Sequence, residues 1–512
     1  MPSRLDVDEG ESSRYDQYFQ TERVKHVLKD RAIQGGALTS LTRLASYAIQ
    51  LVGTVVLARL LAPEDFGLVS MVTSLNGILL QLRDIGLSDA VIQAKTVNQR
   101  QMSTLFWINA VSNSGISLAI VFLAPLIAGF YHEPRLQAIT VILSLSFIFY
   151  GLSDMHFALL KRSMKFWSIS AAQIISGLVS TIAAILLAWQ GYGYWALVAK
   201  NVVLVLCMVI VGWAVCGWRP GLPSRKSGTK HLIFFGANSV GYLIINYFTR
   251  NLDKTLVGRK FGATELGYYD KAFSLYQLPV SQLSMALHQV AVTTLSKLRS
   301  EPAEYKRYYL NAVGIIAFLG MPICAFFAST SQELIGLVLG PKWVRTAELF
   351  FLLTISGGVH IIYSTQEWLH VSLGRADRWL RWGIIAFIVT IAGYAIGILV
   401  STKAVAIAYT ASIFILTGPA LAYAGKPIGL RFREVLASFW RYLAAAAGAG
   451  VACRLVLTYL VGQWPLALRL LIGLIVFTPL YLGGVILLFG SAKPLRGFLR
   501  LIHTFIRAPL IK

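Results

Sequence analysis

Apolar stretches of about 20 residues recur along the whole chain, separated by short polar segments. A helix of this length crosses the hydrocarbon core of a bilayer and satisfies its own backbone hydrogen bonds there. The 512 residues are 56% hydrophobic and only 13% charged, about half the charged share of soluble domains. The pattern therefore predicts an all-α polytopic membrane protein.

The apolar stretches predict about fourteen transmembrane helices, arranged as two pseudo-symmetric six-helix lobes plus two C-terminal helices. The predicted spans cover residues 36–60, 66–83, 104–129, 136–159, 167–189, 194–217, 232–257, 265–292, 308–329, 347–371, 379–401, 404–424, 434–459 and 467–490. The predicted domains are a cytoplasmic amphipathic tail (1–35), an N-lobe (36–217), a cytoplasmic linker (218–231), a C-lobe (232–424), helices 13 and 14 (425–490) and a basic cytoplasmic tail (491–512).

An internal repeat supports the two lobes. At an offset of 200 positions the first predicted span aligns with the seventh. The identical pairs are Gly36 and Gly236, Ala37 and Ala237, Tyr47 and Tyr247, Arg59 and Arg259, Gly67 and Gly267, Ser74 and Ser274, and Leu75 and Leu275. Repeats that lie six helices apart keep the same orientation, so the lobes would be related by an axis along the membrane normal.

The positive charge of the chain indicates its orientation in the membrane. The net charge of +23 is spread over short loops between apolar spans, which argues against nucleic acid as a partner. Lys and Arg are concentrated in every second loop and in both tails, and are sparser in the alternate loops. The positive-inside rule therefore predicts a multi-pass protein with both termini in the cytoplasm.

The first and seventh spans carry polar residues on one face. On the first span Arg43, Tyr47 and Gln50 recur at helical spacing. On the seventh, Arg250, Asp253 and Lys254 stand at i, i+3 and i+4, so Asp253 can pair with one cation and leave the other available. Lys200 in the sixth span and Lys271 in the eighth, beside Asp270, add further cations. These residues predict a cationic central cavity that suits an anionic substrate, since Arg and Lys bind phosphate oxygens.

A purely structural role for the same charges stays open. Buried ion pairs would hold the helices together, and Lys254, Lys271 and Lys200 would extend to the outer membrane interface. Asp253, Asp270, Asp154 and Glu367 are candidates for ion coupling or for ion pairs. The histidines in or near spans could relay protons or pack between helices; they are His156, His288, His360 and His370.

Several kinds of catalytic and metal site have no matching pattern in the sequence. The G-x-x-x-x-G-K-[ST] phosphate loop, H-E-x-x-H and G-x-S-x-G do not occur. Cys207, Cys216, Cys324 and Cys453 lie in apolar spans without the spacing of metal ligands, and are expected to be small buried hydrophobes. We expect a transporter that is not an enzyme and that needs no cofactor or metal.

Two segments resemble a known family. The run "NLDKTLVGRKFGATELGYYDKA" (251–272) and its half-repeat "LARLLAPEDFGLVSMV" (57–72) are similar to the polysaccharide-flippase branch of the MOP exporter superfamily. The similarity is greatest to the Wzx-type lipopolysaccharide and exopolysaccharide exporters, which include the colanic acid and succinoglycan translocases. It covers roughly residues 30–425, and its sharpest motif is Asp253, Gly258, Gly262, Leu266, Gly267 and Tyr268.

The resemblance implies a flippase of the bacterial inner membrane. Such proteins move undecaprenyl-pyrophosphate-linked oligosaccharide repeat units to the periplasmic leaflet by alternating access. A cationic cavity takes the head group, and helices 13 and 14 would line a groove for the lipid tail. The expected partners are this lipid-linked substrate, membrane lipids and a downstream polymerase or export machinery.

Two other functions remain open from the sequence. A cation-coupled small-molecule or drug antiporter of the same superfamily would favour acidic residues in its cavity. A membrane enzyme that polymerises or transfers sugars would need longer external loops than this chain has.

Overall fold

The computed structural model describes residues 28–83, 87–94, 97–224 and 240–496, and all regular structure within them is helical. The chain forms two compact units, Met1–Gly267 (unit 1) and Tyr268–Lys512 (unit 2). The division falls inside one long helix, α8 (Val240–Lys297). The boundaries of the lobes remain a prediction.

The helices before α8 belong to unit 1. They are α1 (Leu28–Leu60), α2 (Pro63–Leu82), α3 (Leu87–Gln93), α4 (Gln99–Tyr131), α5 (Arg135–Arg162), α6 (Phe166–Trp189) and α7 (Tyr194–Cys216). Within this unit α4 packs on α5, α6 packs on α7, and α1 packs on α6.

The helices after α8 belong to unit 2. They are α9 (Pro302–Ser329), α10 (Ser331–Val338), α11 (Val344–Ile355), α12 (Gly357–Ser364), α13 (Gln366–Ser372), α14 (Ala376–Gly397), α15 (Thr402–Gly425), α16 (Phe432–Leu455) and α17 (Leu466–Phe489). Here α9 packs against α12 and α16, α14 against α15, and α16 against α17.

The membrane character of the chain is confirmed, but the number of spans is not. Ten helices in the described part of the chain are long and apolar enough to cross a bilayer. An eleventh span is formed if Pro341–Ile355 and Gly357–Ser372 count as one, bent by 45° at Ser356. The predicted span 66–83 falls in α2, and the span 265–292 and the described part of 232–257 fall in α8. Neither helix is among these ten. The expected total of fourteen is therefore not reached within the described residues.

Helix breaks arise from specific residues. Pro125, Pro279, Pro322 and Pro419 lie inside helices, and each removes a backbone donor. Helix α8 consists of two segments that meet at Gly262, whose φ of 83° and ψ of −179° are essentially restricted to glycine. The break divides α8 close to the edges predicted for the seventh and eighth spans.

The beginning of the predicted cytoplasmic linker is attached to α4. The Gly221 amide donates to Ser103 Oγ at 2.8 Å, and the Trp107 indole donates to the Gly221 carbonyl at 2.9 Å. Trp218 is completely buried in the hydrophobic core of unit 1. Residues 217–224 therefore belong structurally to unit 1, while 225–231 lie outside the described residues, as do the tails over 1–27 and 497–512.

A buried ion-pair cluster links α10 to the last two helices. The Glu333 side chain on α10 is completely buried, and its carboxylate lies 3.3 Å from Arg454 of α16. Its other oxygen accepts a hydrogen bond from Arg469 of α17. The buried carboxylate is thus compensated by two guanidinium groups, which connects the α16–α17 hairpin to the end of α9.

Candidate functional site

The predicted stripe on the first span lies on an exposed face of α1. Arg43, Tyr47 and Gln50 are exposed, whereas Thr42, next to Arg43, is buried and donates to the Leu38 carbonyl at 2.8 Å. The stripe thus faces away from the core of unit 1. Its donors are accessible to a ligand.

The side chain of Lys200 on α7 reaches the backbone of α1. Its Nζ lies 3.7 Å from the point at which a side chain on Gly53 would begin, and the Thr181 methyl of α6 lies 2.6 Å from the same point. Because Gly53 has no side chain, the ammonium group reaches the backbone of α1 at this position. The structure thus places the Lys200 ammonium group against the buried Gly53 of α1, whereas the stripe on the same helix is exposed. That Lys200 and the stripe share one cavity remains a prediction.

The charges predicted on the seventh span lie on the first segment of α8. Asp253 is buried and Lys254 is half-buried. Arg250 belongs to the same helix, but its side chain lies outside the described residues. The pairing of Asp253 with one of two cations therefore remains a prediction.

The other predicted residues are distributed over both units. Asp270 and Lys271 are half-buried on the second segment of α8, within unit 2. Glu367 is half-buried on α13 of the same unit, and Asp154 is half-buried on α5 of unit 1. Their role in coupling remains a prediction.

His156 packs among aromatic rings. Its ring is buried on α5 and stacks on Trp213 with a centroid distance of 4.6 Å. Trp218 and Phe106 lie edge-on to it at 5.1 and 6.0 Å. Four aromatic rings therefore form one compact cluster in the core of unit 1, which favours packing over proton relay for His156.

The glycines of the sequence motif form a close helix crossing within unit 1. A Cβ on Gly67 would lie 1.7 Å from the Ala263 carbonyl oxygen, and a Cβ on Gly267 would lie 1.9 Å from the Pro63 carbonyl oxygen. Real Cβ atoms do not come this close to an oxygen, so both positions require glycine. The first turn of α2 thus crosses the first turn after the Gly262 break.

This crossing follows the internal repeat. Gly67 and Gly267 are related by the offset of 200 positions, and so are Pro63 and Ala263. The glycine of the first repeat, Gly67, contacts Ala263 of the second, and Gly267 of the second repeat contacts Pro63 of the first. Gly258 extends the packing, since its Cβ would lie 3.0 Å from Leu266 and 3.1 Å from Tyr131. Gly258, Leu266 and Gly267 of the resemblance motif therefore pack at or next to the crossing.

Sequence reasoning missed a polar group inside unit 1. Asn109 and Asn113 of α4 are buried, and Asn113 Nδ2 donates to the Asn109 carbonyl at 2.9 Å and to the Arg83 carbonyl at 3.1 Å. The Arg83 guanidinium lies 3.6 Å from the centre of the Tyr150 ring. Two asparagines four positions apart in an apolar stretch are the signal that could have revealed this group.

Two apolar grooves flank α9 in unit 2. One, of about 580 Å³, lies between α9 and α17 and includes Phe318, Phe326 and Phe477. The other, of about 360 Å³, lies between α9, α11 and α16, with the guanidinium-bearing Arg454 in its wall. Both can take a hydrocarbon chain. Among the described residues, no cluster of His, Cys, Asp and Glu is arranged to hold a metal ion.

The chain is similar to proteins of polysaccharide biosynthesis. The lipopolysaccharide biosynthesis protein WzxC of Escherichia coli (strain K12) is 23% identical over 431 residues, which cover 81% of this chain and 85% of that protein. The teichuronic acid biosynthesis protein TuaB of Bacillus subtilis (strain 168) is 27% identical over 58% of this chain and 62% of its own length. The succinoglycan biosynthesis transport protein ExoT of Rhizobium meliloti (strain 1021) is 22% identical over 70% of this chain and 72% of its own length.

Solved structures with the same fold are transporters. The lipid II flippase MurJ in an inward closed conformation aligns with a TM-score of 0.66 at 14% identity, covering 88% of this chain and 98% of that one. An inward-facing multidrug resistance MATE family transporter of the MOP superfamily aligns with a TM-score of 0.56 at 10% identity, covering 75% and 94%. The family of polysaccharide biosynthesis proteins matches residues 56–348, more than half of the sequence. The chain is a multi-pass membrane protein that belongs to this family.

Proposed function

We propose that the protein translocates undecaprenyl-pyrophosphate-linked oligosaccharide repeat units across the bacterial inner membrane. The repeat units would serve exopolysaccharide or lipopolysaccharide biosynthesis and would pass to a downstream polymerase or export machinery. Transport occurs by alternating access through a cationic central cavity, and no covalent bond is made or broken. Both termini lie in the cytoplasm.

Family and fold support the substrate class. The relatives are named for the biosynthesis of lipopolysaccharide, teichuronic acid and succinoglycan, and one of them is named as a transport protein. The fold is also that of a lipid II flippase. A chain of this family and fold therefore fits the movement of a lipid-linked sugar better than its synthesis.

The proposal depends most on one observation, the ammonium group of Lys200 against the backbone of α1 at Gly53. A cation in a membrane span is expensive, and it is usually placed toward a protein interior or a water-filled path. Lys200 of α7 reaches α1, the helix that also carries the exposed Arg43, so both positive charges belong to unit 1. Arg250 and Lys254 on α8, and Lys271 beyond the break, complete the proposed cationic set. Pyrophosphate is the part of the substrate that such cations bind.

The apolar grooves would hold the lipid part of the substrate. An isoprenoid chain is wholly apolar, and the groove between α9 and α17 is lined by aromatic and aliphatic side chains, including Phe318, Pro322 and Phe477. We assign the prenyl tail to this groove. The hairpin of α16 and α17, which corresponds to predicted helices 13 and 14, then serves the lipid rather than the sugar.

A deletion strain tests the function. Surface polysaccharide is quantified and undecaprenyl-linked intermediates are extracted for mass spectrometry, after complementation with the wild type, Lys200→Gln, Lys200→Arg or Arg250→Ala. Loss of one charge-assisted contact to phosphate is expected to lower export about tenfold or more. The deletion and the Gln and Ala variants should accumulate single repeat units at normal protein abundance, and Lys200→Arg should retain part of the export.

Lys342→Gln is the matched control, because it removes a cation from an exposed position next to α11. Its export should equal that of the wild type. Normal polymer in the deletion strain, together with drug sensitivity, would favour the antiporter of the same superfamily. Full export by Lys200→Gln would refute the cationic site while leaving the substrate class standing.

A further inference from the structure

A histidine and two tyrosines from three helices meet inside unit 2. Tyr276 Oη of α8 lies 2.6 Å from His360 Nδ1 of α12, and Tyr409 Oη of α15 lies 3.4 Å from the same nitrogen. The rings of Tyr276 and His360 stack with an interplanar angle of 19°. The imidazole is therefore held on one side by two hydroxyl groups.

The cluster lies at the break of the bent span. Helices α11 and α12 meet at Ser356, and the His360 amide donates to the Ser356 carbonyl at 2.7 Å. Gly357 packs against the same tyrosine, since its Cβ would lie 3.5 Å from Tyr276 Cε2 and 2.7 Å from Cys324 Sγ. The histidine and its main partner thus both touch the residues at which the chain bends.

The hydrogen bonds of this cluster have two possible arrangements. A neutral imidazole with its proton on Nε2 offers one lone pair at Nδ1, which accepts from the Tyr276 hydroxyl. When Nδ1 binds a proton from water, it becomes a donor, and the Tyr276 hydroxyl must turn to accept from it. The tyrosine proton then points to another acceptor such as Tyr409. One N–H bond forms, and no other covalent bond changes.

The titratable groups that contact the histidine and its partners are hydroxyl and thiol groups. The titratable side chains that face the cluster are Tyr276, Tyr409, Tyr363 on the same helix as His360, and Cys324 of α9 against Tyr276. The charged residues on the surrounding helices that are nearest in sequence to the cluster are Asp270 and Lys271 of α8, Glu348 of α11, Glu367 of α13 and Lys403 of α15. Each is more than one helical turn away in sequence, and Lys403 pairs with Glu348 at 2.5 Å. A proton bound at His360 Nδ1 is therefore stabilised by the hydroxyl groups of Tyr276 and Tyr409.

We propose that His360, held by Tyr276 and Tyr409, is a proton-binding site whose occupancy changes the bend between α11 and α12. Discontinuous helices in transporters commonly carry the site of the coupling ion, because the break frees backbone groups and creates a point of movement. The proposal rests on the proposed function in one respect, since a proton gradient acting at this site would drive translocation. The ligand is a proton and not a metal cation, because an imidazole flanked by hydroxyl groups provides a base rather than an oxygen cage.

Proton binding can be measured without any substrate. The full chain is labelled with ¹³C at the histidine Cε1, reconstituted in lipid nanodiscs and titrated from pH 5 to 9 by NMR. His360→Gln identifies the His360 resonance, which should shift with a single midpoint in this range. Tyr276→Phe should move that midpoint by about one pH unit. A His360 resonance that does not change between pH 5 and 9 would overturn the proposal.

The coupling is tested in proteoliposomes with a pH gradient. His360→Gln should abolish the dependence of transport on the gradient, while the control His132→Asn should retain it. His132 is the C-cap of α4 with φ of 56°, a conformation that asparagine tolerates. Unchanged gradient dependence in His360→Gln would contradict the coupling role. If the wild type moves no lipid-linked sugar, the proposed function fails, while the NMR titration still decides the proton site.

Discussion

At the scale of single residues, the glycine crossing shows what the sequence could and could not predict. The comparison at an offset of 200 positions singled out Gly67 and Gly267, and the resemblance motif singled out Gly258 and Gly262. The reason for glycine at Gly67 and Gly267 is in each case a carbonyl oxygen of the other repeat, which no local pattern records. The same holds for Lys200, since its approach to Gly53 depends on the packing of α1, α6 and α7.

Gly67→Ala and Gly267→Ala are expected to destabilise the protein. Each new methyl group would meet a backbone oxygen at less than 2 Å, so the crossing must open. Overpacking of this kind costs about 1–3 kcal/mol. Thermal unfolding of the purified protein in detergent, followed by tryptophan fluorescence, should show a lower Tm for both variants.

Gly115→Ala is the matched control, because a Cβ there meets nothing within 4 Å. Alanine is also the better helix former, so its Tm should stay equal or rise. Equal Tm values for Gly67→Ala and Gly115→Ala would show that the crossing is looser than its geometry indicates.

At the scale of helices, hydropathy predicts where apolar segments lie but not where they break. The stretch over 347–371 reads as one span in the sequence, yet it bends at Ser356, because Gly357 and Gly358 let it pack closely on Cys324 and Met321. Long-range polar contacts are equally hidden. Glu333 pairs with two arginines that lie 121 and 136 positions away.

Glu333→Gln should detach the α16–α17 hairpin from α10. The variant leaves Arg454 and Arg469 without their shared anion, and breaking such a buried cluster costs about 3 kcal/mol. Arg454 keeps access to water, so the effect should lie near this lower limit. Thermal unfolding should show a clear loss of stability, accompanied by faster proteolysis of the hairpin.

The exposed pair of Glu304 and Arg307, at 2.5 Å on α9, provides the comparison. Glu304→Gln should change stability by less than about 1 kcal/mol, since exposed ion pairs contribute little. A Glu333→Gln variant as stable as Glu304→Gln would mean that the buried carboxylate does not hold the hairpin.

At the scale of the whole molecule, the distribution of Lys and Arg predicts the orientation of the chain in the membrane, which atomic contacts alone do not reveal. Fluorescent protein fused after Lys512 should fluoresce, because the C-terminus is expected in the cytoplasm. Alkaline phosphatase inserted after Gly340 should be active, and the same insertion after Gly374 should be inactive. An active phosphatase at Gly374 would invert the predicted topology.

The fold class and the internal repeat could be predicted from the sequence, because both depend on many residues at once. Apolar spans, the polar face of α1 and the offset of 200 positions each involve several positions at once. The number of spans, and which residues form the candidate site, depend on individual contacts. Lys200 at Gly53 and His360 between Tyr276 and Tyr409 are examples that only the fold reveals.

The reciprocal glycine crossing also has a consequence for the origin of the chain. Gly67 meets Ala263 while Gly267 meets Pro63, so the contact is self-complementary in the manner of an isologous dimer interface. A half-length protein with a single repeat could make the same contact with a second copy of itself. Fusion of two such genes would preserve the interface, and each copy of the glycine would then remain constrained by the backbone of its duplicate.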